Sequence, residues 1–538
     1  MPWHAGTFTL TLQDVERYLL DKEITELDEK LQILRAKRNR LSPISSLPPE
    51  LLTRIFSFVQ RQTYWDAYEW TAVTHVCQDW RIHALGTATL WRRIVHDSSY
   101  PRPRNGSQPA ALTILQRSGK CKLDVDVYQS YTLPRDLTLL FTILAELPRI
   151  KTLRLSLRPE SYCMDSPELQ KLALILCNPA PVLEEFRFSS LILTSGEEGM
   201  HRLGFDNDLV WFNGVSPQLR SIILSFSPSD LVGLHGQNLT NLELRNTGQS
   251  RVSFSALLDL LSEAKGLKTI SLDHAFSFEG GTPIQPISSR VSLGALSSSD
   301  LSFDLPELVY FLTTIAVPST SQTTLRITSI GELHELLEAL SDHFLDAMRP
   351  VSSMTYCLED GSRLDLELRA AFPTHSSEPY ISILFPLDTH APLSGLNALP
   401  LSQMHTLLLA RHDDNIELPE ALEVFGWCRA LDHLTNLALE DAFVDLFINF
   451  AQENIDIFPA LETFAACLSH GEESYRIGVL DSLYQIFERR ASFHKPMKLR
   501  KLLLANLGAY GASSPIDEKI NKFRGLVSEM QVGEENIW

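Results

Sequence analysis

One short pattern recurs along most of this chain: an apolar residue, two variable ones, an apolar residue, one variable, then a third apolar residue. It starts at Ile150, Leu183, Leu219, Leu239 and Leu267, and returns at Met404, Leu434, Leu461 and Leu499. The alternation at the end of each copy suits a short strand with one inward face, because side chains alternate sides along a strand. Helical spacing fills part of the intervening chain, over 166–176 and 253–263. A single unit of this kind cannot bury its own apolar face, whereas stacked units build a continuous core. The periodicity therefore predicts an α/β fold of parallel strands with outer helices. It also makes the length of 538 residues a weak guide to domain number.

The pattern resembles the leucine-rich repeat, whose usual period is about 20 to 29 residues. The copies here are more widely and less evenly spaced, which predicts insertions. The family also favours Asn or Cys three residues after the last leucine. Thr247 and Leu507 hold that place here, with Asn246 and Asn506 one position early, so the bends should form an uneven arc. The resemblance implies an irregular solenoid in two parts, 111–330 and 400–538. Between them, 331–399 reads as an irregular insertion or degenerate repeats, with a helix over 331–344 and strands near 354–358, 364–368 and 381–385. In a solenoid the outward strand positions Arg154, Arg187, Ile223, Glu243 and Ser271, with their neighbours Arg245 and Asp273, would line one surface for a protein substrate.

The N-terminal region follows different rules. Within a helix over 10–42, Leu20, Ile24, Leu27, Leu31, Leu34 and Leu41 are spaced by alternating steps of four and three, with Arg38 in the remaining slot. That is the spacing of one continuous heptad seam. Both self-association through 20–41 and a lone amphipathic helix packed on its neighbour fit it. Pro43 ends the helix. A second helix begins near Leu47-Pro48-Pro49-Glu50, carrying Leu51, Leu52, Ile55, Phe56 and Val59. A third amphipathic stretch covers 67–84, and a short element holds Leu90, Trp91 and Ile94. Three small helices bury little surface, so this unit should leave apolar area for a partner.

Leu47-Pro48-Pro49-Glu50-Leu51-Leu52 with Ile55-Phe56, then Val76-Cys77-Gln78-Asp79-Trp80-Arg81, then Leu90-Trp91, resembles the F-box over 44–95. The resemblance implies docking onto a Skp-family adaptor and, through it, a cullin. Carried over, the contacting residues are Leu47, Pro48, Glu50, Leu51, Ile55, Val76, Cys77 and Trp80. The Pro- and Ser-rich stretch 98–110 reads as a linker. The expected function is a non-catalytic substrate adaptor of a Skp–Cullin–F-box ubiquitin ligase. The alternatives are a repeat scaffold outside any ligase and an enzyme with a site hidden in 330–400.

Charge and motif searches narrow the function further. The 47 basic residues against 66 acidic ones give a formal charge of −19, which offers no general field for nucleic acid or an anionic membrane. Seven cysteines without a CxxC pair point to reduced thiols, and no secretory leader is visible, so a cytoplasmic or nuclear location is expected. No phosphate-binding glycine loop, nucleophile elbow or HExxH helix occurs, and His412-Asp413-Asp414 sits in a turn where adjacent side chains diverge. No catalytic residue, metal or cofactor is expected.

Overall fold

The computed structural model describes residues 11–62, 68–97, 107–130, 137–158, 167–190, 210–225, 231–245, 251–277, 290–318, 322–327, 336, 351–359, 363–370, 380–386, 404–411, 425–468, 472–492, 499–507 and 515–533. Over 351–386 the backbone alone is described. The helix expected over 331–344, apart from Leu336, and the His412-Asp413-Asp414 turn lie outside these residues. The chain forms two compact units, Met1–Ser156 and Leu157–Trp538.

The first unit opens on α1 (Leu12–Arg40). It starts eight residues ahead of the first seam leucine because Thr11 and Asp14 form a reciprocal capping box, with Asp14 in the electropositive first turn. The hydrogen bond from Thr11 also holds the Asp14 carboxyl below its ordinary pKa. A 3-10 turn at Pro43–Ser46 leads to α2 (Pro49–Gln62). The helical stretch expected over 67–84 is two helices, a 3-10 segment Glu69–His75 and α3 (Gln78–Gly86). Cys77 between them is extended, and its thiol accepts the Trp80 amide at 3.5 Å, so it acts as the cap of a new helix.

Strand β1 (Arg93–Asp97) pairs in parallel with β2 (Leu123–Ser130), placing Ile94 opposite Val125. Strand β3 (Ile150–Arg158) lies beside β2. Helix α4 (Ser107–Arg117) starts inside the stretch read as a linker. Its Arg117 guanidinium lies over the Trp91 ring, 4.5 Å from the centroid. The helical region and these first strands thus share one compact unit. Helix α5 (Thr138–Leu144) supplies Leu140, Ile143 and Leu144 to its core.

In the second unit every remaining copy of the apolar pattern carries a strand. The first group gives β4 (Glu185–Ser190), β5 (Ser221–Ser225), β6 (Asn241–Arg245) and β7 (Thr269–Asp273), paired in parallel in that order. Strands β8 (Ser298–Phe303) and β9 (Gln322–Ile327) continue the series. Next come β10 (Val351–Glu359), β11 (Arg363–Ala370) and β12 (Tyr380–Pro386). Here chain order reverses: β12 pairs with β9, β11 runs antiparallel between β12 and β10, and β10 pairs in parallel with β13 (Thr406–Arg411). Strands β14 (Asn436–Glu440), β15 (Thr463–Cys467), β16 (Lys501–Ala505) and β17 (Glu529–Gly533) complete the parallel series.

In six copies the first apolar residue of the pattern makes the turn into the strand. Leu183, Leu219, Leu239, Leu267, Leu434 and Leu461 each donate a backbone N–H to the carbonyl three residues earlier. One carbonyl of the preceding unit then accepts two successive N–H groups, as Arg220 does from Thr240 and Asn241. The exit also recurs. His274, Asp441 and Asn506 directly follow their strands with positive φ, and each donates its N–H to the next strand. Asn and Asp tolerate that backbone better than most residues, which accounts for Asn506 standing one place early. Helices α6 (Pro167–Leu176), α7 (Phe254–Glu263), α8 (Leu305–Thr314), α9 (Ala442–Glu453), α10 (Glu473–Ala491) and α11 (Pro515–Phe523) occupy the intervening chain. Aromatic contacts tie strands to helices, as in Phe447–Phe464–Phe487 at 5.2 and 5.1 Å between ring centroids.

Candidate interaction surfaces

Helix α2 carries two apolar faces, not the single stripe its spacing suggested. Leu52 and Phe56 are buried, and the Phe56 ring meets Trp80 of α3 at 5.1 Å. Thr53 Oγ1 and His83 Nε2 are 2.9 Å apart, linking the same two helices. Behind them Trp70 packs edge-on to Trp91 at 4.9 Å, and Trp91 Nε1 donates to the Ala84 carbonyl at 2.7 Å. Gln60 Nε2, buried, donates to the Leu90 carbonyl at 3.1 Å. This small core fixes the orientation of α2 and turns its second face outward.

On that second face lie Pro48, Leu51, Ile55 and Phe58, whose steps of three, four and three place them along one side of the helix. Leu51 is 46% exposed, Ile55 37% and Phe58 51%. Glu50 is exposed beside them, and Leu47 is half-buried. Of the second block, Val76 is 59% exposed, whereas Cys77 and Trp80 are half-buried, the latter against Phe56. Phe58 and Ile82, the latter 63% exposed, belong to the exposed apolar set although sequence reasoning passed over them. For Phe58 the signal was present, since it continues the 48–51–55 spacing.

The expected substrate-facing residues fall into two groups. Arg154, in the first unit, bonds to Asp126 on the neighbouring strand at 3.4 Å, and Arg93 flanks the same buried carboxylate at 3.7 Å. In the second unit the pairing registers place Arg187, Ile223, Glu243 and Ser271 in one row across β4 to β7. Arg245 and Asp273 lie in a second row two residues further along. Glu243 and Arg245 form an ion pair at 2.7 Å. The same first row changes character across β13 to β16. There Leu408, Ala438, Ala465 and Leu503 form an apolar cluster, so these strands are apolar on both faces.

Among the described residues one cluster has the donor types of a metal site. A ligand atom each from His274, Asp304 and Glu307 lies within 4.8 Å of the others. The Arg251 guanidinium already binds Glu307, and its second nitrogen is 3.4 Å from His274 Nδ1. Burial raises the Glu307 carboxyl pKa against the opposing pull of Arg251. A cation entering here would have to displace an arginine, so the cluster reads as an ion pair tying the segment ahead of α7 to α8. No helix among the described residues is long and apolar enough to cross a membrane.

Among curated proteins none matches the chain. Residues 44–97 match the F-box-like family, the same helices whose buried core and partly exposed outer face are described above, so the chain carries an F-box-like domain near its N-terminus.

Proposed function

We propose that the protein is a non-catalytic substrate adaptor of a Skp–Cullin–F-box ubiquitin ligase. The F-box-like helices seat on a Skp-family adaptor, which links the chain to a cullin, and the strand rows of the second unit, a leucine-rich-repeat-like array, hold a protein substrate. The observation that carries this reading is the outer face of α2. Pro48, Leu51 and Ile55 are exposed on a helix held rigidly by Phe56 and Trp80, inside the segment that matches the F-box-like family. Rigid apolar anchors on a helix suit groove docking, where a few buried residues dominate affinity. Modification of the substrate then follows from effective concentration and not from side-chain chemistry.

Affinity capture of the full chain beside the Leu51→Asp/Ile55→Asp variant tests both ends. The adaptor and cullin should be lost from the variant while substrate proteins stay on both. Retention of the adaptor by the variant would contradict the assigned face.

A further inference from the structure

Helix α1 is 29 residues long, and none of them is buried. Its seam residues Leu20, Ile24, Leu27, Leu31 and Leu34 remain between 42% and 61% exposed in the folded chain. Helices in proteins gain most of their stability from packing an apolar face, and the seam of this one stays open among the described residues. An exposed ion pair, Arg40–Asp79 at 3.3 Å, ties its C-terminal end to α3.

The charges along the helix say what can cover it. Residues 12–29 hold seven carboxylates against Arg17 and Lys22, while residues 30–40 hold five cations and no carboxylate. With Ile24 and Leu31 at position a and Leu20, Leu27 and Leu34 at position d, the flanking g positions are Glu16, Glu23, Lys30 and Lys37. The e positions are Asp21, Asp28 and Arg35. Flanking charges select partner and orientation in a coiled coil. A parallel pair of identical helices would set g against e five residues on, giving Glu16–Asp21, Glu23–Asp28 and Lys30–Arg35. All three are like-charged.

An antiparallel pair sets g against g and e against e. The contacts become Glu23–Lys37 and Asp21–Arg35, each formed twice. Only Lys30 and Asp28 meet their own copies, at the two-fold axis. The apolar layers align in the same register: Ile24 faces Leu34, Leu27 faces Leu31, and Leu20 faces the aliphatic stem of Arg38.

We infer that α1 is a homodimerisation helix that pairs antiparallel with a second copy of this chain. In that arrangement residue 41 of one copy lies beside residue 17 of the other. The two F-box-like domains then leave the pair at opposite ends, roughly 36 Å apart along the axis. A dimer of this kind presents two separate docking ends, and it stands or falls independently of which adaptor binds them.

Sedimentation equilibrium of the purified full-length chain, with no adaptor present, reads the mass against the 60.6 kDa monomer. A dimer is expected, and Leu27→Asp/Leu31→Asp should return it to monomer with an unchanged circular-dichroism melt. Orientation is read by Glu23→Lys. In the antiparallel pair it sets a second cation against Lys37 at both ends and should weaken the dimer roughly tenfold, with recovery in Glu23→Lys/Lys37→Glu. In a parallel pair the same change would set a cation against Asp28 and tighten the dimer. A monomeric wild type, a dimer that survives Leu27→Asp/Leu31→Asp, or a dimer tightened by Glu23→Lys would each overturn the inference.

Discussion

Arg490 on α10 illustrates how much one side chain can hold. It is buried to 2% exposure and donates to the carbonyls of Ile455, Ile457 and Phe458, the turn that leads from α9 into β15. Phe458 in that turn has positive φ, a backbone that a bulky residue adopts only when its surroundings hold it. Burial lowers the guanidinium pKa to about 10, still far enough above neutrality to keep it charged. Arg490→Met should therefore cost about 3 kcal/mol or more, because three carbonyls lose a charged donor. A denaturant melt of the variant beside wild type measures it, and a loss below about 1 kcal/mol would mean the turn holds itself. The two faces of α2 separate by the same kind of measurement. Phe56→Ala should cost about 3–5 kcal/mol through the cavity it leaves, whereas Leu51→Asp should stay within about 0.5 kcal/mol.

At the scale of the element, all nine copies of the apolar pattern form strands, because each strand needs two inward residues and the pattern supplies them. The strands that the pattern does not mark have a physical explanation. In β8 and β9 the first inward positions are Ser299 and Thr323, paired across the sheet, with the Ser299 hydroxyl donating to Thr323 Oγ1 at 2.8 Å. Two hydroxyls that satisfy each other can occupy a core row, but neither announces itself in a search for apolar residues. A double-mutant cycle with Ser299→Ala and Thr323→Val should give a coupling of roughly 0.5–1.5 kcal/mol, and strict additivity would deny the pairing. The helical break at Cys77 was hidden for a different reason: an apolar period of three and four runs through both segments, and only the cap separates them. The run Leu407-Leu408-Leu409 was legible as a strand apolar on both faces, which polar outward residues in the earlier strands made easy to overlook. On α2, Leu51 and Ile55 were legible as apolar, but their outward direction depended on which neighbours Phe56 and Trp80 filled.

For the whole molecule, one chain joins an F-box-like domain with an exposed apolar helix face to a long, mainly parallel strand array whose rows run from polar to apolar. The account rests on the first of these being a docking face. Titrating a purified Skp-family adaptor against the full-length chain by calorimetry tests this most directly, with Leu51→Asp/Ile55→Asp alongside. Saturable one-to-one binding per chain is predicted for wild type, with at least about a thirtyfold loss in the variant at unchanged melting temperature. No binding by wild type, or equal binding by both, would contradict it.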